Sequence, residues 1–151
     1  MVFKSNTQFI FHDSRGFECG SVDETEMVRE FLKSRGEARE LAGQLHAVWY
    51  CLPTDTDRPI LAADKTFFNE CGIGKAPVIV IFTKFDGLIT TSFGELFDQG
   101  RNSQPKISIK DARKNAKVQA PARAEIKLGS LFKEPLQNSK YPPAGFVHLG
   151  R

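Results

Sequence analysis

The stretch Pro77-Val78-Ile79-Val80-Ile81-Phe82 is the strongest strand pattern in this chain. A continuous β-branched and apolar run of this length is typical of a strand buried in a parallel sheet. It ends at Thr83-Lys84-Phe85-Asp86, so the strand delivers a polar string at its carboxyl end. Open α/β sheets bind ligands at the carboxyl ends of their strands, which makes this string the first candidate for chemistry.

Other elements can be placed around this strand by their apolar spacing. Further strands are predicted at residues 7–12, 47–52 and 145–149, a helix between Pro59 and Cys71, one broken helix or two over residues 24–45, and helices at 91–100 and 107–119. Buried strands that alternate with helices predict an α/β fold. We expect a three-layer sandwich with a mostly parallel sheet that helices cover on both faces.

Composition is that of an ordinary single domain. The chain has 151 residues, of which 40% are hydrophobic and 26% charged. No apolar run is long enough to span a membrane, and the first residues lack the apolar centre of a signal peptide, so we expect a cytoplasmic protein without a transmembrane segment. The three cysteines are widely spaced, which favours reduced thiols over a disulfide framework or a zinc site.

Positive charge is concentrated late in the chain. Residues 101–140 hold ten Lys and Arg against three Asp and Glu, although the whole chain carries a net charge of only +3. Such a segment could bind a protein partner, an acidic membrane or RNA, or could simply be a solvated helical insertion. Phe132 is its only aromatic residue, so we do not expect specific recognition of a nucleic acid.

A second polar string follows the predicted strand at residues 7–12. In Asp13-Ser14-Arg15-Gly16, the Asp13 carboxylate could hold Mg²⁺ through water, and Gly16 would let a backbone N–H approach a terminal phosphate. A D-x-x-G string alone is weak evidence, because it often only caps a turn.

The string after the strongest strand suggests base recognition. Asp86 can accept hydrogen bonds from the ring N–H and the exocyclic amine that guanine presents and adenine does not. Lys84 would lay its aliphatic stem over the base, and Thr83 would tie the loop to neighbouring backbone. The alternative is a polar strand end whose aspartate begins the next helix.

Taken together, the two strings support a family resemblance. Residues 7–100 resemble the G domain of the translation-factor-related class of P-loop GTPases, and residues 12–18, 44–51 and 78–86 are similar to the pattern of fungal G-domain proteins. The resemblance implies a P-loop NTPase-like fold that binds GTP or GDP with Mg²⁺. In that family Asp13 would serve Mg²⁺, Gly16 the γ-phosphate, and Thr83, Lys84 and Asp86 the guanine; a fifth motif would be expected near residues 149–151.

The chain also departs from that pattern. The phosphate-binding loop G-x-x-x-x-G-K-[ST] is missing before Asp13, and Gly72-Ile73-Gly74-Lys75 is not a substitute because it lacks the Ser or Thr and follows a helix. Many GTPases have a water-orienting glutamine after the glycine of the third motif, where this chain has Phe17. We therefore expect an incomplete fold and GTP hydrolysis that is weak or absent.

These features predict a single partial G domain over residues 1–151. Its parts are a core at 7–100 with the third and fourth motifs, a basic helical insertion at 101–140 and a final strand at 141–151. The functional hypothesis is a guanine-nucleotide switch. The alternative is a degenerate G domain that binds no nucleotide and acts as a protein-interaction module through residues 101–140.

Overall fold

The computed structural model describes residues 2–3, 6–14, 22–36, 38, 43–71 and 76–149, and these residues form two sheets and several helices. Strands β1 (Val2–Phe3) and β2 (Asn6–Ile10) form a short antiparallel pair, and β3 (Val48–Pro53), β4 (Val78–Thr83) and β5 (Gly145–His148) form a parallel sheet in that spatial order. The helices are α1 (Val22–Gly36), α2 (Ala62–Glu70), α3 (Phe85–Arg101), α4 (Ile109–Lys127), a π-helix (Leu128–Lys133) and α5 (Glu134–Gln137).

The parallel sheet confirms the α/β prediction at its coarsest level. β4 lies in the centre, with β3 on one side and β5 on the other, and both neighbours run parallel to it. The strands predicted at residues 47–52, 77–82 and 145–149 and the helix that follows Pro59 are all present to within a few residues. The strongest strand pattern of the sequence is therefore the strand with two neighbours.

Helices cover only one face of this sheet in the described part of the chain. Successive side chains of a strand point to opposite faces. Tyr50 and Phe82 are buried on the covered face, whereas Trp49 is 60% exposed and Val147 48% exposed on the other. The described residues thus show one layer of helices packed against the sheet, and the three-layer sandwich stays a prediction.

The order in which the chain passes through the strands explains why α2, α3 and α4 lie on the same face of the sheet. Both connections, from β3 to β4 and from β4 to β5, step in the same direction across the sheet. Parallel crossovers are almost always right-handed, and two right-handed crossovers that step the same way place their helices on the same face. The helices α2, α3 and α4 accordingly share one face, and none of them is left to cover the other.

The core between sheet and helices is rich in aromatic rings. Tyr50 of β3 contacts Phe67 and Phe68 of α2, with ring centroids 4.6 and 5.0 Å apart. On the other side of the core, Phe82 of β4 lies 5.8 Å from both Phe132 and Phe146. Aromatic pairs at these separations add stability beyond the apolar area that they bury.

The basic segment forms one nearly continuous helical rod. α4, the π-helix and α5 follow one another without a break from residue 109 to residue 137. Buried residues recur at every fourth position of the rod: Ala112, Ala116, Ala120, Ala124, Leu128, Phe132 and Leu136. The helix predicted to end near residue 119 thus continues through Pro121. Packing of the alanine face offsets the roughly 3 kcal/mol that a proline costs inside a helix.

The strand predicted at residues 7–12 does not join the parallel sheet. β2 pairs instead with β1, with Val2 opposite Ile10 and Phe3 opposite Asn6. Pairing of sequence neighbours closes a short loop and therefore costs little chain entropy. Of the one or two helices predicted over residues 24–45, the first ends at Gly36, and residues 39–42 lie outside the described residues.

Among the described residues, no helix has the length and apolar content needed to cross a membrane.

Candidate functional site

The carboxyl ends of the three parallel strands meet at one edge of the sheet, here called the carboxyl edge. Two threonines join the ends of β3 and β4 there. The backbone N–H and the Oγ1 hydroxyl of Thr54 both donate to the carbonyl of Thr83, each at 3.0 Å. The Thr83 hydroxyl donates to the carbonyl of Leu52 at 3.4 Å. Because these bonds tie the strand ends together, they hold the start of α3 in a defined position.

Lys84 adopts an unusual backbone conformation between β4 and α3. Its φ of 58° and ψ of 35° place it in the left-handed region, which costs a residue with a side chain about 1–2 kcal/mol. The Lys84 carbonyl accepts a hydrogen bond from the N–H of Gly87 at 2.9 Å. Backbone strain of this kind persists only where the surroundings hold it and is concentrated at binding and catalytic sites.

The Lys84 ammonium forms an ion pair with Asp55, in the loop after β3. Nζ lies 3.1 Å from Oδ2, and the two side chains are 63% and 38% exposed. An ion pair this exposed contributes no more than about 1 kcal/mol to stability. It therefore orients the lysine without locking it, and a ligand can compete for either group.

Gly87 allows this loop to approach the first turn of α3. A Cβ atom placed on Gly87 would lie 2.7 Å from the Cβ of Asp55, closer than real Cβ contacts. Any larger residue at this position would push the Asp55 loop away from Lys84. Nothing in the sequence reveals that Asp55 is the neighbour of Gly87.

The Asp86 carboxylate is exposed in the first turn of α3. Its side chain forms no hydrogen bond or ion pair with any described residue, while its carbonyl accepts a bond from the Thr90 hydroxyl at 2.9 Å. A negative charge at this position lies near the positive end of the helix dipole. Asp86 is therefore an anionic acceptor that is open to a ligand.

His148 reaches the same edge from β5, and the sequence analysis did not assign it there. Its ring centroid lies 4.5 Å from that of Phe85, and its Nε2 lies 3.1 Å from a carboxylate oxygen of Glu125. The other ring nitrogen, Nδ1, is buried and has no hydrogen-bond partner among the described residues. Only the pairing of β5 with β4 brings this histidine beside the polar string.

The structure does not bring Asp13 to the carboxyl edge by strand pairing. Asp13 is exposed and follows Phe11 and His12, whose rings lie 5.6 Å from Trp49 and 5.2 Å from Phe31. Gly16, the other half of the predicted phosphate and Mg²⁺ site, lies outside the described residues, as do Phe17 and residues 72–75. Within the described ranges, no group of three or more His, Cys, Asp or Glu side chains could hold a metal ion.

No protein-family model, curated protein or solved structure matches this chain. A function must therefore be inferred from the chemistry and geometry of the carboxyl edge.

An open cavity of about 610 Å³ lies between α1 and α2, at the opposite end of the sheet. Charged side chains such as Arg29, Glu30 and Glu70 line it, together with Cys71 and Tyr141. Cys71 is only 2% exposed, and burial, as the largest cause, raises the pKa of its thiol. A buried thiol with a raised pKa is a poor nucleophile, so Cys71 gives this cavity no reactive thiolate.

Proposed function

We propose that the carboxyl edge binds a guanine base and that the chain is a GTP-binding protein of the G-domain type. The observation that carries the proposal is the position of the string Thr83-Lys84-Phe85-Asp86. It follows the central strand of a parallel sheet, and it ends in a carboxylate without a described partner at the start of α3. Polar groups at the carboxyl end of such a strand are the usual ligand contacts of an open α/β sheet.

In this proposal each residue of the string has a separate role. Asp86 accepts hydrogen bonds from the ring N–H and the exocyclic amine of guanine. Lys84 covers the base with its stem once its ammonium leaves Asp55, and Thr83 keeps the loop in place through its bond to the Leu52 carbonyl. Charge-assisted hydrogen bonds to an ionised carboxylate are about twice as strong as neutral ones, so Asp86 supplies most of the base preference.

Fewer residues of this chain support the phosphate side of the proposed site than support the base side. Asp13 and Gly16 would serve Mg²⁺ and the γ-phosphate in a P-loop NTPase-like arrangement, but residues 1–151 contain no G-x-x-x-x-G-K-[ST] loop. That loop supplies backbone N–H groups and a lysine to the phosphates. We therefore expect selectivity for guanine with low affinity, and GTP hydrolysis that is slow or absent.

The base site can be tested without the β- and γ-phosphates. We expect NMR titrations of the full chain with GMP and AMP to show at least tenfold tighter binding of GMP, with shifts at the carboxyl edge. Asp86→Asn should lower the affinity for GMP at least tenfold, because the amide donates where guanine also donates. It should improve binding of xanthosine monophosphate, whose C2 carbonyl accepts that donor.

Asp98→Asn is the matched control, since it makes the same change at an exposed position farther along α3. It should leave both affinities within about twofold of the original chain, which is less than 0.5 kcal/mol. Equal binding of GMP and AMP, or equal effects of the two substitutions, would exclude a guanine site.

The second candidate is a degenerate G domain that acts as a protein-interaction module. Two observations favour it: the Lys84 ammonium is already paired with Asp55, and Trp49 is 60% exposed on the second face of the sheet. In the module, residues 101–140 would be the contact surface for a protein partner. The same titrations separate the candidates, because an interaction module shows no guanine preference and no response to Asp86→Asn.

A further inference from the structure

One side of α4 carries four cations in a single row. Lys110, Arg113, Lys114 and Lys117 are all exposed. Their spacing of i, i+3, i+4 and i+7 aligns them along one side of the helix, over about 10 Å of its length. We propose that this row, called the basic row below, binds the phosphate backbone of a nucleic acid without regard to base sequence.

Within the described part of the chain, the cations of the basic row are not paired with other side chains. None of the four forms an ion pair or hydrogen bond with another described residue through its side chain. Lys127, farther along the same helix, contrasts with them because it forms an ion pair with Glu95 of α3. The nearest acid in sequence, Asp111, accepts a hydrogen bond from the Ser108 hydroxyl at the start of α4. Charges without partners retain their full potential for an external anion.

The helix that carries the basic row is held firmly on its other side. Ala112, Ala116 and Ala120 are at most 2% exposed, and they lie outside the main core cluster of the sheet. Gly100 near the end of α3 permits a close approach, since a Cβ atom there would lie 3.1 Å from that of Ala112. The row is thus presented on a rigid pair of packed helices, and binding needs no ordering of the backbone.

The surroundings of the row favour a nucleic acid over an anionic membrane. A helix that lies in a membrane surface inserts a continuous apolar face beside its cations. The alanine face of α4 is buried within the protein, and the apolar side chains that border the row, Ile109 and Val118, are separated by more than two helical turns. Phosphates along a polynucleotide need no such insertion.

The same surroundings disfavour an acidic protein as the partner. Stable protein interfaces depend on buried aromatic or aliphatic anchors near their centre. No apolar side chain stands within the row, and three of its four cations are lysines, which act as mobile point charges. Point charges suffice for a polyanion whose affinity comes from counterion release. The lack of aromatic residues in the row limits binding to the backbone, so no base sequence is preferred.

The test is the salt dependence of binding to a short single-stranded RNA of mixed sequence, measured by fluorescence anisotropy with the full chain. Four phosphate contacts predict a slope of log K against log salt of about −3, and Arg113→Gln/Lys117→Gln should reduce it to about −1.4. At 0.1 M salt this corresponds to a loss of affinity of about 25-fold.

Arg58→Gln/Lys65→Gln is the matched control, because it removes one arginine and one lysine from exposed positions away from α4. It should change the affinity less than threefold and leave the slope unchanged. Thermal unfolding followed by circular dichroism should show the same cooperative transition for both double variants, which excludes misfolding as the cause.

Several results would overturn the proposal. Equal losses for the two double variants would show a net-charge effect without a defined surface, and a slope near zero would rule out phosphate contacts. Binding to phosphatidylserine vesicles or to polyglutamate, but not to RNA, would assign the row to another class of partner. Guanine-nucleotide binding is measured separately and should not change in Arg113→Gln/Lys117→Gln, so this proposal and the proposed function can fail independently.

Discussion

β4 and β2 are both short strands that lead toward a polar string, but their surroundings differ. β4 has a parallel neighbour on each side, and its side chains Val78, Val80 and Phe82 are at most 7% exposed. β2 has one antiparallel neighbour of two residues, and Ile10 at its end is 63% exposed. A polar string gains a fixed position from the strand before it only when that strand is itself buried.

The consequence for function is direct. Lys84 and Asp86 are held by the central strand, by the Thr54 and Thr83 hydrogen bonds and by the start of α3. Asp13 follows a strand with a single short neighbour, and Phe11 and His12 are its described anchors through Trp49 and Phe31. The base half of the proposed site is therefore preorganised by the main sheet, whereas the segment before Asp13 reaches that sheet through the ring contact of Phe11 with Trp49 of β3.

The largest effect should come from the core of the central strand. Phe82→Ala removes a fully buried ring that contacts Phe132 and Phe146, and we expect the free energy of unfolding to fall by about 3–5 kcal/mol. Phe11→Ala, at a ring that is 36% exposed, should lower it by about 1 kcal/mol or less. Urea unfolding of both variants measures the contrast. Similar losses would mean that the two strand regions are equally well anchored.

A smaller loss of stability should follow when the buried hydrogen bond between Tyr50 of β3 and Asp64 of α2 is removed. The Tyr50 hydroxyl donates to a carboxylate oxygen of Asp64 at 2.6 Å, and Asp64 also accepts the Leu61 N–H at 2.7 Å at the start of α2. Tyr50→Phe removes the first bond and should lower stability by about 1.5–3 kcal/mol. Tyr141→Phe, at a ring that is 38% exposed, is the control and should change it by less than about 0.5 kcal/mol.

The same pair predicts an alkaline limit to stability. Burial first, and then the neighbouring Asp64 carboxylate, raise the pKa of Tyr50 above its ordinary value. The folded protein thus holds this proton more tightly than the unfolded chain does. The stability that this raised pKa contributes is complete below the pKa of tyrosine in the unfolded chain, which is about 10. It is lost as the pH rises above that value. The free energy of unfolding, measured between pH 8 and pH 11, should fall more steeply with pH for the original chain than for Tyr50→Phe. Parallel curves would contradict this assignment.

The smallest loss of stability in this series is expected at Gly87, and it tests how the string at residues 83–86 is positioned. Gly87→Ala places a methyl group against Asp55 and should lower stability by about 1–3 kcal/mol. Gly94→Ala on the same helix meets no atom within 4 Å and should instead raise stability by roughly 0.5–1 kcal/mol through helix propensity. Asp55→Gly in the Gly87→Ala background removes the clashing atom and should recover part of the loss. If the two glycine variants behave alike in urea unfolding, the close approach of the Asp55 loop is not a constraint.

Sequence reasoning succeeded where a pattern was both local and strong. The runs at 47–52 and 77–82 have the length and apolar content of buried strands, and both are strands of one parallel sheet. It failed where a local rule competed with packing. The helix predicted at residues 107–119 stops short of Pro121, but burial of Ala120 and Ala124 keeps that helix intact through the proline.

The candidate site shows the same division. Thr83, Lys84 and Asp86 could be named from their position after a strand. Asp55, Gly87 and His148 could not be assigned, because each gains its role from a contact across the fold: the Asp55 ion pair with Lys84, the close approach at Gly87, and the ring of His148 on Phe85. Contacts between residues far apart in the chain leave no local pattern.

The sequence by itself determined the α/β fold class of this protein and the polar string that carries its candidate chemistry. Alternating apolar runs and helical spacing act over a few neighbouring residues, and those forces can be read directly from the chain. Only the tertiary structure decided which strands share a sheet, that α2, α3 and α4 pack on the same face of it, and which residues join Lys84 and Asp86 at the carboxyl edge. The physical reason is that strand pairing and crossover handedness depend on the competition between distant partners, and this competition is settled only when the whole core is packed.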